Sequence, residues 1–307
     1  AGRARKIYVL TGHGELSLTE SGPQGLQRFA ALMNRQGWDV MPLDLLRDRD
    51  EGQLTAVPND ADAVVVVAPR ATLDPSEVSA LRSYVRGGGS LAVYTEPGRG
   101  VPELLELWGA SLLQGTVIDR PSLAPYDDWF VPRYGDHAIT NELSEADIKT
   151  IFAHGGALRM PAGDGFEVTD LLTTSLSGWV ERGLERPPAA FDDRIDVKGP
   201  HPVMSAVELS AASGRVDDRA RLIVAGDASM ISNELMVRLG NPTLSINSMR
   251  WLVGDDDRMT MVGRRGRLRN MSLSQATRTG IGWLVIGLWP LLAVLAGAIV
   301  LSLRRGR

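Results

Sequence analysis

The 307-residue chain contains no cysteine. Disulfide bonds, thiolate metal ligands and cysteine nucleophiles are therefore all excluded. Its four histidines, at positions 13, 137, 154 and 201, do not show the H-E-x-x-H spacing of a zinc site. From the sequence we expect no metal ion, no cofactor and no catalytic residue.

Two motifs of nucleotide and ester hydrolysis are also missing. The sequence has neither a Walker A phosphate loop nor a G-x-S-x-G nucleophile elbow. Residues 87–89 are three consecutive glycines, but they follow a predicted helix and precede a predicted strand. A phosphate loop needs the strand first, so we interpret these glycines as the end of a helix.

The chain has no excess of basic residues, with 33 Lys and Arg against 37 Asp and Glu. Proteins that read nucleic acids usually present a basic face, so we expect no nucleic-acid partner. The first residues, AGRARK, contain no apolar segment of the kind found in signal peptides. Two explanations stay open: a cytoplasmic tail-anchored domain, or an N-terminal membrane span that precedes Ala1 in the complete protein.

A long uncharged segment is present near the C-terminus. Residues 279–303 carry no charge, and a membrane-spanning helix needs roughly 20 apolar residues. The sequence therefore predicts a transmembrane helix over 281–303, a juxtamembrane linker over 259–280 and a tail over 304–307. The residues singled out in the span are its two ends, two tryptophans and a proline that would kink the helix: Ile281, Leu303, Trp283, Trp289 and Pro290.

The first 115 residues alternate predicted strands with predicted helices. Strands are expected at 7–10, 39–46, 63–68 and 91–94, and helices that start at Pro23 and Pro75. The run AVVVVA at 63–68 is apolar at every position, as in the middle of a parallel sheet. This alternation predicts an α/β fold with a doubly wound, mostly parallel sheet.

The later residues complete the predicted domain around a less regular segment. Repeated prolines break residues 116–215, which we interpret as an inserted or smaller α+β region with strands near 171–175 and 203–209. Residues 216–258 are predicted to complete the α/β domain. They contain a predicted strand at 222–225 and predicted helices over 233–239 and from Asn241 onward.

Polar residues follow two of these predicted strands. His13 and Glu15 come directly after the first strand, and Asp227 and Ser229 follow the strand at 222–225. Because ligands of open α/β sheets bind outside the carboxyl ends of the strands, these four are the candidate ligand-binding residues. Alternatively, His13 and Glu15 make local hydrogen bonds while Asp227 and Ser229 cap the next helix. The sequence leaves both interpretations open.

Five segments, taken in order, resemble one known family. They are IYVLTGHGE, LDPSEVSALRSYVRGGGSLAVY, LLTTS, RLIVAGDASMISNELM and NSMRWLVGDDD, followed by the predicted C-terminal span. Together they resemble the gliding-motility-type auxiliary family of ABC transporters over residues 7–303. No single segment is diagnostic; the resemblance lies in their order.

The resemblance implies a domain outside the bacterial cytoplasmic membrane, held by one span at each end, with a cytoplasmic C-terminus. It implies a fold similar to class I glutamine amidotransferases and flavodoxin-like domains, with related domains in intraflagellar transport proteins. The implied partners are the lipid bilayer, an ABC-2-type permease and a separate ATPase. The amidotransferase relatives use a cysteine nucleophile that this chain lacks, so their chemistry does not carry over.

Three functions follow as hypotheses. The first is a non-catalytic auxiliary subunit of an ABC-2-type transporter, which acts in substrate handling or complex assembly on the extracytoplasmic side. The second is a membrane-anchored binding module for a glycan or surface polymer. The third is a tethered hydrolase of the same fold class.

Overall fold

Eight strands form one central sheet within the residues that the computed structural model describes, which are 3–47, 55–99, 101–123, 126–160, 165–183, 189–209 and 220–255. The first half of the chain supplies alternating strands and helices: β1 (Arg5–Leu10), α1 (Gln27–Arg35), β2 (Trp38–Leu43), β3 (Ala63–Val67), α2 (Pro75–Arg86), β4 (Leu91–Tyr94) and α3 (Pro102–Glu106). This alternation is the one that the sequence predicts.

The second half is built mainly of short strands. They are β5 (Ser111–Leu112), β6 (Thr116–Ile118), β7 (Trp129–Phe130), β8 (Arg133–Tyr134), β9 (Phe152–Ala153), β10 (Leu158–Arg159), β11 (Phe166–Thr173), β12 (Trp179–Glu181), β13 (Val197–Lys198), β14 (Pro202–Leu209) and β15 (Ala220–Ala225). Two α-helices accompany them in the described residues, α4 (Ala138–Glu145) and α5 (Asn241–Leu252).

The central sheet is mixed, with the strand order β2-β1-β3-β4-β15-β14-β11-β8. The first five strands are parallel, whereas β14, β11 and β8 are antiparallel to their neighbours. The predicted doubly wound, mostly parallel sheet is therefore wrong. The connection between β14 and β15 consists of residues 210–219. A parallel pair needs a crossover of a dozen or more residues, so a connection of this length suits an antiparallel pair.

The segment predicted as an α+β insertion extends this sheet. Residues 116–215 contribute β8, β11 and β14, and the strands predicted near 171–175 and 203–209 fall within or beside β11 and β14. The same segment forms smaller antiparallel pairings, among them β13-β12-β6 and β7-β9. The β7-β9 pair contains Trp129, and His154 follows β9 directly.

Both faces of the sheet are buried at its central strands. Along β3, Val65 and Val67 pack into one apolar cluster while Val64 and Val66 pack into the other. This confirms the interpretation of the valine run. Helix α1 covers the first face with Phe29 and Met33, and α2 covers the second with Leu81 and Val85.

Helix α2 begins and ends where the sequence predicts. Asp74 is its N-cap, Pro75 opens the helix, and Glu77 completes a capping box. Gly87 is its C-cap, and the N–H groups of residues 87–89 donate to carbonyls of the last turn. The predicted start of a helix at Pro23 is wrong, since α1 begins at Gln27.

The C-terminal transmembrane helix predicted over 281–303 is not supported. In the described part of the chain, no helix is long and apolar enough to cross a membrane. The predicted span, with Ile281, Trp283, Trp289, Pro290 and Leu303, lies outside the described residues, as do the linker over 259–280 and the tail.

Candidate functional site

The candidate site lies where the parallel strands end. Strand β1 leads into His13, β3 into Arg70, β4 into Glu96 and β15 into Asp227. Because parallel strands end at one edge of a sheet, polar residues far apart in sequence meet there. We call the group formed by Arg70, Glu96, Arg99, Asp128, His154 and Asp227 the strand-end cluster.

His13 lies between two buried glutamates. Its Nε2 is 2.9 Å from Oε2 of Glu77 and its Nδ1 is 3.2 Å from Oε1 of Glu15. The backbone N–H of His13 also donates to Glu15. The side chains of Glu15 and Glu77 are 2% and 0% exposed, so these contacts are shielded from water. They fasten the loop after β1 to the first turn of α2.

Asp227 is completely buried at the end of β15. Its Oδ2 accepts a 2.8 Å hydrogen bond from the N–H of Ala153, and its Oδ1 accepts one of 2.7 Å from the N–H of Ser229. The hydroxyl of Ser229 donates to the same carboxyl group. Burial raises the pKa of Asp227 to about 7, against the opposing effect of these hydrogen bonds. Asp227 therefore fixes β9 against the end of β15.

These contacts agree with the local interpretation of the four predicted site residues. His13 and Glu15 bond to each other, and Asp227 receives the first N–H of the 3-10 turn that Ser229 opens. That any of the four binds a ligand stays a prediction.

Glu96 is the half-buried carboxyl group of the strand-end cluster. It lies in a tight turn whose backbone is closed by reciprocal hydrogen bonds with Arg99. Burial raises the pKa of Glu96, and the positive charges of Arg99, His154 and Arg70 oppose that rise. The Oε2 of Glu96 lies 3.8 Å from Arg99, and the positive charges of His154 and Arg70 act on it from two other segments of the chain.

His154 and Asp128 form an ion pair next to Glu96. The hydrogen bond from Asp128 raises the pKa of His154, and the negative charges of Asp227 and Glu96 add to that effect. His154 has a φ of 59°, which is uncommon for any residue other than glycine. The bond from its N–H to the carbonyl of Asp128 contributes to holding this conformation.

Two aromatic residues continue the cluster. The rings of Tyr126 and Trp129 stack with 4.8 Å between their centroids, and the ring of His154 meets Trp129 edge-on at 6.4 Å. The guanidinium of Arg238 lies 5.8 Å from the centroid of Trp129. We call Tyr126 and Trp129 the aromatic platform.

The structure shows how the remaining polar features are used. Within the described residues, no group of His, Asp and Glu side chains has the geometry to hold a metal ion. A cavity of about 630 Å³ lies at the opposite edge of the sheet, where β3 and β4 begin, and residues 87–89 line it. Their N–H groups are taken up by the end of α2, so this cavity lacks the donors of a phosphate loop.

The sequence predicts a site at this edge of the sheet, but it does not single out Glu96, Asp128 or His154, which also lie there. Glu96 stands at a strand end just as His13 does, and the Pro97-Gly98 turn after it was a usable signal. Asp128 and Trp129 belong to an acidic and aromatic run, DDWF. His154 gave no local signal, because its place beside Glu96 depends on β9 reaching the end of β15.

A comparison with protein families finds one match that covers most of the chain. The model of a family described as an ABC-type uncharacterized transport system matches residues 4–249. No curated protein matches the chain.

Several solved structures superpose on the chain to different extents. The mmIFT52 N-terminal domain superposes with a TM-score of 0.56 and 16% identity, covering 80% of this chain and 96% of that one. A ThuA-like protein from Parabacteroides merdae gives a TM-score of 0.46 and 12% identity, covering 82% and 91%. A cold-adapted beta-galactosidase from Rahnella sp. R3 gives 0.44 and 10%, covering 83% and 31%. The first match shows a shared fold, and the fold similarity to amidotransferases is not confirmed.

Proposed function

The chain belongs to the family described as an ABC-type uncharacterized transport system, and from that membership we propose that it is a non-catalytic auxiliary subunit that handles substrate or assists assembly outside the cytoplasm. The single observation that carries the proposal is the family match, which runs from β1 into α5. Membership in an auxiliary family of an ABC-type transport system implies that the chain associates with the other components of that system. We propose that these are an ABC-2-type permease and a separate ATPase.

The architecture is compatible with this role. The described domain is a mixed sheet with an apolar cluster on each face, and the polar groups at its strand ends pair largely with one another. The side chains of His154 and Asp128 also reach solvent at this edge, so they are available for recognition. No observation on the described residues favours the third hypothesis, a hydrolase.

Association with the transport components is tested by affinity purification of the full chain from its native host. Co-purification of a permease and an ATPase is expected. Purification of the chain alone, in repeated preparations under cross-linking conditions, would contradict the proposal.

We also propose that the chain is anchored in the bacterial cytoplasmic membrane with its bulk outside the cytoplasm. Cysteine labelling tests this placement. Since the chain contains no cysteine, a single Leu176→Cys variant carries one thiol, and Leu176 is 67% exposed. A membrane-impermeant maleimide should label this variant in intact cells after removal of any outer barrier. Labelling only after lysis would place the domain in the cytoplasm.

The second candidate function is binding of a glycan or other surface polymer. The observation that favours it is the half-exposed Tyr126 stacked on Trp129 beside the strand-end cluster. The two functions are compatible, because an auxiliary subunit can bind the cargo that its transporter moves.

A further inference from the structure

We propose that the aromatic platform, together with Asp128, His154 and Glu96, binds one sugar unit of a neutral polysaccharide. This inference rests on the proposed function, since it names the class of molecule that the auxiliary subunit would handle. The proposed site does not include His13 or Asp227, because their polar groups are occupied within the fold.

The first argument is the shape of the platform. Tyr126 is 49% exposed, while Trp129 beneath it is only 9% exposed. Their planes differ by 29°, so the buried indole supports the phenol ring from one side. A half-exposed aromatic ring that is supported from one side presents a flat apolar surface of fixed orientation. The C–H face of a pyranose ring is a flat apolar surface of similar size.

The second argument is the hydrogen-bonding groups at the edge of the platform. The side chain of His154 is 58% exposed and that of Asp128 is 22% exposed, so both reach solvent. His154 touches the platform edge-on and interacts electrostatically with Glu96. Carboxylates accept two hydrogen bonds side by side, which suits the adjacent hydroxyl groups of a sugar.

The third argument is the charge pattern. Charges of both signs occur beside the platform: Asp128 pairs with His154, Glu96 lies 3.8 Å from Arg99, and Arg238 lies over the ring of Trp129. An anionic ligand would approach the carboxylates, and a cationic ligand would approach the guanidinium groups. Either charged ligand is repelled by the groups of its own sign. A neutral polyhydroxylated ligand avoids this repulsion and can hydrogen-bond to the acidic and the basic groups alike.

Two further features indicate a site that is maintained for binding. His154 is held in a left-handed backbone conformation, and such residues concentrate at ligand-binding and active sites. The Nε1 donor of Trp129 is buried without a hydrogen-bond partner in the described part of the chain. Buried polar groups without a partner are few in folded proteins, and each calls for an explanation, a bound water or ion among them.

The test is isothermal titration calorimetry of the full chain with maltohexaose, cellohexaose, mannohexaose and N-acetylchitohexaose. Oligogalacturonate of similar length serves as the charged comparison. We expect saturable binding of at least one neutral oligosaccharide and weaker binding of oligogalacturonate. Tyr126→Ala should weaken that binding about tenfold, because one stacking contact is lost.

Matched variants separate loss of the site from loss of the fold. Phe191→Ala removes an aromatic ring of similar exposure that packs edge-on against Trp179 and not against the platform, and it should bind as the wild type does. His154→Asn should weaken binding while keeping the backbone, because asparagine tolerates the left-handed conformation. The melting temperature of each variant shows that it is folded.

Three results would overturn the inference. They are no binding of any of the four neutral oligosaccharides, equal or tighter binding of oligogalacturonate, or unchanged binding by Tyr126→Ala. Loss of transporter co-purification in Tyr126→Ala, with no sugar bound by the wild type, would instead make the platform a protein-docking surface. A chain that binds sugar but never co-purifies with a permease or ATPase keeps the sugar site and loses the proposed function.

Discussion

The Nε2 of His13 and the Oε2 of Glu77 lie 2.9 Å apart, although 63 residues separate them in the chain and neither side chain is more than 11% exposed. The same glutamate accepts a 2.9 Å hydrogen bond from the N–H of Asp74 at the start of α2. One carboxyl group therefore closes the helix capping box and fastens the loop after β1. A residue predicted only as a cap connects two elements of the fold.

We expect Glu77→Ala to lower the free energy of unfolding by about 2–4 kcal/mol, because it removes a helix cap and leaves His13 without one of its two partners. Urea denaturation measures the loss. Glu106→Ala, at an exposed position in α3, is the control and should change stability little. Equal effects of the two substitutions would show that the contact with His13 contributes nothing.

Asp227 should make stability fall as the pH rises. Its pKa rises from an ordinary 3.8 to about 7, so the folded state holds a proton that the unfolded state releases between these values. This contribution is present at low pH and is lost as the pH passes through 7. Between pH 5 and pH 8 the wild type should lose about 2–3 kcal/mol more than Asp227→Asn. Parallel stability profiles of the two proteins would contradict this account.

The Asp128 carboxylate should control the titration of His154. Its hydrogen bond raises the pKa of His154, so Asp128→Asn should move the NMR titration of that ring to lower pH. The stabilising effect of the pair is present at low pH and is lost as the pH rises through the raised pKa. Asp147→Asn, which removes the partner of Lys149 at an exposed position, should leave the titration of His154 unchanged.

We expect Asn233 to stabilise the fold by fixing a segment that lies more than 200 residues earlier in the chain. Its side-chain amide donates to the carbonyls of Glu20 and Gly22, and its oxygen accepts from the N–H of Arg28. Asn233→Ala removes three hydrogen bonds of a buried side chain and should cost about 2–3 kcal/mol in thermal or urea unfolding. Glu234→Ala, next along the chain and exposed, is the comparison. A cost no larger than that of the comparison would contradict the role given to Asn233.

Local signals predicted the elements that depend on local interactions. The valine run of β3 and the capping box of α2 need only neighbouring residues, and both occur as expected. The helix predicted over 233–239 is wrong, since that segment forms turns and Leu239 has a φ of 47°. The hydrogen bonds of Asn233 to residues 20–28 act over more than 200 positions, and a local pattern cannot contain them.

The same limit explains the sheet and the site. The direction of β14 and β11 is set by pairing with strands distant in sequence, which hydrophobic periodicity does not report. The strand-end edge was predictable, because every parallel strand ends there. The electrostatic interaction between Glu96 and His154 depends on the tertiary structure, so a local pattern does not predict it.

The central claim is that this domain works within an ABC-type transport assembly. It is tested most directly by quantitative mass spectrometry of the cross-linked full chain, purified through an affinity tag from its native host alongside an untagged strain. The account predicts that an ABC permease and an ATPase are enriched with the chain at a constant molar ratio across preparations. Recovery of the chain with neither protein enriched above the untagged strain would contradict it.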